Sequence, residues 1–174
     1  MPISLVMTII GPDRPGLVGR LSAVIADHGG NWLESRMAHL GGQFAGILRV
    51  QLPAEQEQKL LAALKSLEGL SVSTYKDVAV PPPKAQLLAK LEVVGHDRPG
   101  IVRQISQVLA HHQVNVEELA TQCESAPMSA EMLFRATATV QLPPSGTLAQ
   151  LQAALETIAT DLMVDITIIP SRPS

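Results

Sequence analysis

Residues Ile3 to Ile10 form a short apolar run, rich in β-branched side chains and closed by Gly11-Pro12, the pattern of a buried strand. Leu17, Val18, Leu21, Val24 and Ile25 then recur at spacings of three, four and seven. This predicts an amphipathic helix with Pro15 in its first turn and Gly29-Gly30 at its end. Asn31 to Leu40 and Phe44 to Leu52 read as two strands joined by Gly41-Gly42-Gln43, a hairpin signal. Pro53 opens a second helix whose stripe is Leu60, Leu61, Leu64 and Leu67, with Gly69 as its stop; Leu70 to Val80 reads as a closing strand. The order β-α-β-β-α-β predicts an α+β fold of ferredoxin-like type, an antiparallel four-stranded sheet covered on one face by two helices.

The pattern is then written a second time. Gly11-Pro-Asp-Arg-Pro-Gly-Leu-Val18 returns as Gly95-His-Asp-Arg-Pro-Gly-Ile-Val102, and Ser22, Ala26, His28, Asn31 and Glu34 return as Ser106, Ala110, His112, Asn115 and Glu118. So long a period means two copies of one domain rather than a solenoid. The second copy predicts strands over Gln86–Val94, Asn115–Glu124, Ala130–Leu142 and Leu162–Ile169, with helices over Pro99–His112 and Thr147–Ala159. Later matches slip further: Leu48-Arg-Val-Gln-Leu-Pro53 answers Ala138-Thr-Val-Gln-Leu-Pro143, which places an insertion around Ser125–Ser129. The expected division is one domain over 1–80, a stiff Pro-rich linker over 81–85 and a second domain over 86–174.

Composition narrows what such a pair of domains can do. The chain is 46% apolar but only 2% aromatic, so its cores rest on aliphatic residues and it lacks a stacking platform for single-stranded nucleic acid. A net charge of −3 is the wrong sign for a phosphate-binding surface, so no direct nucleic-acid partner is expected. The first apolar run is far too short for a membrane span and lacks a basic leader. With Cys123 the sole cysteine, the simplest expectation is a cytoplasmic protein with no membrane partner. Two domains of this size each bury only about 60% of their unfolded surface, which favours packing into a homo-oligomer.

The repeated turn carries the chemistry. A helix start has backbone amides without intrahelical partners at the positive end of its dipole, and such a site favours an anion. Gly16 and Leu17, or Gly100 and Ile101, are placed to offer those amides to a carboxylate. Asp13 and Asp97 suit an ammonium group, and Asn31 and Asn115 add a carboxamide that both donates and accepts. Pro15 and Pro99 set the turn, and Arg14 and Arg98 sit at its rim, suited to a ligand carboxylate or a partner surface. Grouped within a few ångströms, these residues would recognise an α-amino acid; the same residues also make ordinary caps and turns. His28, His111 and His112 fit as cations near helix ends rather than metal ligands. Cys123 reads as a buried or inert thiol, and no nucleophile, base and orienter are clustered, so neither an enzyme nor a cofactor is implied.

The Asp-Arg-Pro-Gly-[Leu/Ile]-Val turn, the helix, and Gly-Asn or Val-Asn at the next strand resemble the ACT domain, a ligand-binding regulatory module. The first half, with Glu34-Ser-Arg-Met-Ala-His-Leu-Gly-Gly-Gln-Phe44, resembles the glycine cleavage system transcriptional repressor family. The resemblance implies domains that associate side by side and bind amino acids at their interface, with Asp13, Gly16, Asn31, Asp97, Gly100 and Asn115 at the contacting positions. It also implies glycine as the signal and a DNA-binding activator as the protein partner. A regulatory subunit of an amino-acid metabolic enzyme and a ligand-free interaction scaffold remain open alternatives. Gly30 becoming Val114, Trp32 becoming Val116 and the longer second hairpin imply two inequivalent sites.

Overall fold

The computed structural model describes residues 1–78 and 87–171. The expected linker over 81–85 lies outside the described residues, as do the last two residues of the expected strand Leu70–Val80 and the first of Gln86–Val94. Two compact units emerge, Met1–Pro81 and Pro82–Ser174. The first contains β1 (Pro2–Pro12), α1 (Leu17–Asp27), β2 (Asn31–Leu40), β3 (Gln43–Pro53), α2 (Glu57–Lys65) and β4 (Ser71–Lys76). The second contains β5 (Leu88–His96), α3 (Ile101–His111), β6 (Asn115–Ser125), β7 (Met132–Gln141), α4 (Leu148–Leu162) and β8 (Val164–Ser171). Each sheet is wholly antiparallel, in the order β2-β3-β1-β4 and β6-β7-β5-β8. Both units are thus the ferredoxin-like fold that the element order predicts.

Alternation along the central strands decides which face is covered. Leu5, Met7 and Ile9 on β1 and Leu48, Val50 and Leu52 on β3 are buried together. Leu21 and Ile25 of α1 and Leu60 and Leu64 of α2, spaced by four on one helix face, close over them. The second unit repeats this with Ala89, Leu91 and Val93 beneath Ile101, Ile105, Leu109, Leu151 and Leu155. On the uncovered faces, Arg49 of β3 reaches past β1 to Asp77, just beyond β4, at 3.1 Å, and Arg135 of β7 reaches Glu92 of the adjacent β5 at 2.7 Å. Among the described residues, no helix is long and apolar enough to cross a membrane.

Helix boundaries differ from expectation at several places. Pro15 and Pro99 do not enter the helices; α1 and α3 begin two residues later, because Gly16 and Gly100 hold left-handed backbone at φ 81° and 96°. The second helix starts at Glu57 after a 3-10 turn over Ala54–Gln56, because Pro53 ends β3 in an extended conformation. The helix α4 runs three residues past Ala159 to Leu162, capped at its start by Thr147, whose hydroxyl accepts from the Gln150 N–H at 3.3 Å. The Gly41-Gly42 hairpin is as expected, both glycines taking positive φ.

An added Cβ at Gly16 meets nothing within 4 Å, so its requirement is conformational rather than steric. Gly16→Ala should therefore destabilise the chain by about 1 kcal/mol, and Gly16→Asn by less, as read by urea unfolding.

Candidate functional site

Each repeated turn is fastened by its backbone before any side chain acts. The Asp13 N–H donates to the Gly42 carbonyl at 3.0 Å, and the Asp97 N–H to that of Met132 at 2.9 Å. The end of the first strand is thereby pinned to the neighbouring hairpin in both units. Within the first turn the Leu17 N–H donates to the Arg14 carbonyl at 3.3 Å, so this amide closes the turn. Arg98 extends away from its turn, its guanidinium donating to the Asp161 carbonyl near the end of α4 at 2.8 Å.

Pinning the turn to the hairpin brings each Asp against the far end of the second strand. His39 Nε2 lies 3.6 Å from the Asp13 carboxylate, with both side chains about half exposed. At the matching position of the second unit stands Cys123, with the Asp97 carboxylate as its charged neighbour. Sequence reading missed this pair of partners, although the signal was present: His39 and Cys123 are separated by the same interval as the repeated turns. Cys123 is exposed, not buried as one reading of it expected, because β6 is an edge strand with no neighbour on its outer side. Local loss of water and the adjoining Asp97 carboxylate push its thiol pKa up, so it is a poor nucleophile.

The asparagines lie elsewhere. Asn31 pairs with Gln51, and Gln51 pairs with Ser4 near the start of β1, whereas Asp13 follows the end of that strand. Nine residues of extended chain separate the two levels, roughly 30 Å. Asn115 sits likewise at the level of Leu88, nine residues from Asp97, and its amide donates to Glu117 at 2.6 Å. The expected grouping of Asp and Asn within a few ångströms is therefore absent inside either unit. The reason is topological: β1 and β2 run parallel with β3 between them, so the end of one and the start of the other lie at opposite ends of the sheet.

Two hollows of the second unit adjoin its sheet. An open depression of about 670 Å³ lies between the end of β5 and α4, lined in part by His96, Glu156, Thr160 and Asp165. A smaller apolar crevice lies between α3 and the β6–β7 edge. Neither is lined by Asp97 or Asn115. Among the described residues no three His, Cys, Asp or Glu side chains gather to hold a metal ion. His28 Nδ1 instead lies 2.8 Å from the Val24 carbonyl, and the His111 and His112 rings stack edge to face at 5.4 Å. What the corners offer chemically is an exposed carboxylate beside a polar neighbour at the end of an edge strand.

Family models for the ACT domain match residues 4–73 and 83–160. The glycine cleavage system transcriptional repressor of Escherichia coli (strain K12) is 25% identical over 162 residues, covering 91% of this chain and 85% of that protein. A crystal structure of an unknown protein from Galdieria sulphuraria is 33% identical, with a TM-score of 0.88 over 99% of this chain and 100% of that one. Another crystal structure, provisionally named a glycine cleavage system transcriptional repressor, has a TM-score of 0.72 at 20% identity and covers 99% of each chain.

If the Asp97 carboxylate helps hold the Cys123 thiol protonated, Asp97→Asn should lower the thiol pKa and speed its reaction with a disulfide reagent near neutral pH. Reaction rate against pH measures this; an unchanged profile would leave loss of water as the sole cause.

Proposed function

Because both halves of this chain belong to the ACT-domain family, we propose that the protein is a non-catalytic, amino-acid-sensing regulator. Its signal is glycine, and it acts on expression of glycine cleavage through a protein partner that itself binds DNA. The observation that carries this reading is the duplicated corner, Asp13 with His39 and Asp97 with Cys123, at the end of an edge strand. Similarity to the Escherichia coli repressor over most of both chains supports the choice of pathway.

The geometry inside one unit suggests how the site is completed. An edge strand carries a row of unsatisfied N–H and C=O groups, and pairing with another edge satisfies them. When β2 pairs antiparallel with β2 of a second copy about Ser35, Glu34 faces Arg36 on both sides, an opposite-charge arrangement that stabilises the pair. The same pairing carries the Asn31 end of one copy to the His39 and Asp13 end of the other. A carboxamide and a carboxylate then flank one crevice, with the carboxylate for the ligand's ammonium and the carboxamide for its carboxylate. Ligand and assembly are thereby linked: a ligand held by two copies favours the arrangement that brings them together, to the extent that it binds that arrangement better.

Glycine at about 100 times its dissociation constant should add about 2.7 kcal/mol of stability, seen as a rise in melting temperature of several degrees. The double variant Asp13→Ala with Asp97→Ala should lose this rise while its ligand-free melting changes little, since both carboxylates are exposed. A melting curve indifferent to every amino acid would instead favour the scaffold reading, and affinity capture would then identify the partner.

A further inference from the structure

The duplication lets corresponding positions be compared directly, and the second unit has lost side-chain volume along one seam. Trp32, Met37 and Leu48 of the first unit correspond to Val116, Thr121 and Ala138. The strand registers agree: Trp32 lies across from Val50 as Val116 does from Val140, and Leu48 across from Met7 as Ala138 does from Leu91. In the first unit Trp32 and Met37 pack on the core, whereas every residue of β6 is exposed. The apolar crevice between α3 and the β6–β7 edge opens along this seam, with Ala136 and Ala138 in its floor and Val102, Val116 and Leu119 at its exposed mouth. Its volume of about 30 Å³ is room for roughly two water-sized spheres, which suits the tip of one aliphatic side chain and is too little for a whole metabolite.

Strand β6 sorts its side chains by face. Val116, Leu119, Thr121 and Cys123 lie across from Val140, Ala138, Ala136 and Phe134, the buried row of β7, and so belong to the helix-covered face. Glu118, Ala120, Gln122 and Glu124 lie across from Thr139, Thr137, Arg135 and Leu133 on the open face. The whole strand carries Glu117, Glu118 and Glu124 and no lysine or arginine. Arg135 of β7 is shared between Glu124 and Glu92, one cation between two carboxylates. The outer edge of such a strand offers backbone N–H and C=O groups to an added strand. Pairing β6 with another β6 would set acidic strand against acidic strand, which is unfavourable, whereas β2 carries both Glu34 and Arg36 and suits its own copy.

Building on the reading that the chain acts through a protein partner, we propose that the β6 edge receives an extended segment of that partner in which aliphatic and basic residues alternate. The segment adds a strand to the second sheet beside β6. Its aliphatic side chains lie on the helix side, one of them entering the crevice between Val102, Val116 and Leu119. Its lysines or arginines lie on the open face against Glu118 and Glu124. The first unit is unsuited to the same segment, because Trp32 and Met37 pack over the corresponding seam and Arg36 stands where the second unit has Ala120.

Calorimetric titration of the full chain with a blocked peptide of about nine residues, alternating valine and lysine and long enough to run from Val116 to Glu124, tests this. The controls are an alternating valine–glutamate peptide and a peptide of the first composition in non-alternating order. The valine–lysine peptide should bind at least about tenfold more tightly than either, since one control sets like charges across the strands and the other moves side chains to the wrong face. It should also slow hydrogen exchange at the backbone amides of β6 and not of β2. Glu118→Lys with Glu124→Lys should reverse the preference in favour of the valine–glutamate peptide; both positions are exposed, so the fold should tolerate the change. No binding by wild type, equal binding of the two charge patterns, or protection confined to other strands overturns the inference. Light scattering in which Leu119→Lys splits a dimer, with no peptide bound to wild type, assigns the edge to a second copy and overturns it equally. A glycine-dependent rise in melting without peptide binding sinks this inference alone, whereas peptide binding with no response to any amino acid sinks the sensor reading and leaves the docking edge standing.

Discussion

Burial of a single sheet face is the constraint from which the rest of each unit follows. Two helices can cover one side of a four-stranded antiparallel sheet, and the central strands β1 and β3, like β5 and β7, supply most of the strand residues that they cover. The outer strands β2 and β6 are left with one free backbone edge, and every residue of β6 is exposed. Covering the core in this way therefore creates the surface on which a functional site can be built. The turn that leads from the first strand into the first helix lies at the end of the same sheet. Its Asp amide is tied to the hairpin beside the edge strand, so the corner and the edge form one region.

Duplication makes the second unit a natural comparison for the first. Backbone geometry has been kept closely: left-handed glycines precede both helices, and Gln113 adopts at φ 55° the conformation that Gly29 holds at 68°. Filling of the frame has changed more freely. The acidic corner meets an imidazole in one unit and a thiol in the other, and the core seam is filled by an indole in one and left open in the other. Inequivalence of the two copies was expected from Gly30 becoming Val114, Trp32 becoming Val116 and the longer second hairpin, and the exchange at the corner adds to these. Backbone positions that need positive φ are hard to alter without strain, whereas aliphatic side chains can be exchanged as long as enough of the core remains buried.

Much of this was legible before any coordinates. Leu17, Leu21 and Ile25 repeat at helical spacing, Leu5, Met7 and Ile9 alternate, and the internal repeat shows the same pattern a second time, so element order and fold class followed. Helix starts were harder. Pro15 suits a first helical turn by its fixed φ, but Gly16 took a left-handed conformation that no helix continues, and this favoured a turn ending at the glycine. The candidate site was legible as a set of residue types and not as an arrangement. Asp13 and Asn31 look close because one helix separates them in sequence, yet that helix carries the chain back along the full length of the sheet.

From the chain alone come two α+β units, their strand and helix order, and the aspartate-bearing turn repeated in each, because local periodicity and turn chemistry act over a few residues and can be read without tertiary context. Only the folded chain decided that His39 and Cys123, not the asparagines, stand beside those aspartates, and that a seam closed by Trp32 in one unit lies open at Val116 in the other. Those outcomes depend on strand register and on which side chains meet across the sheet, contacts between residues far apart in sequence that no local pattern encodes.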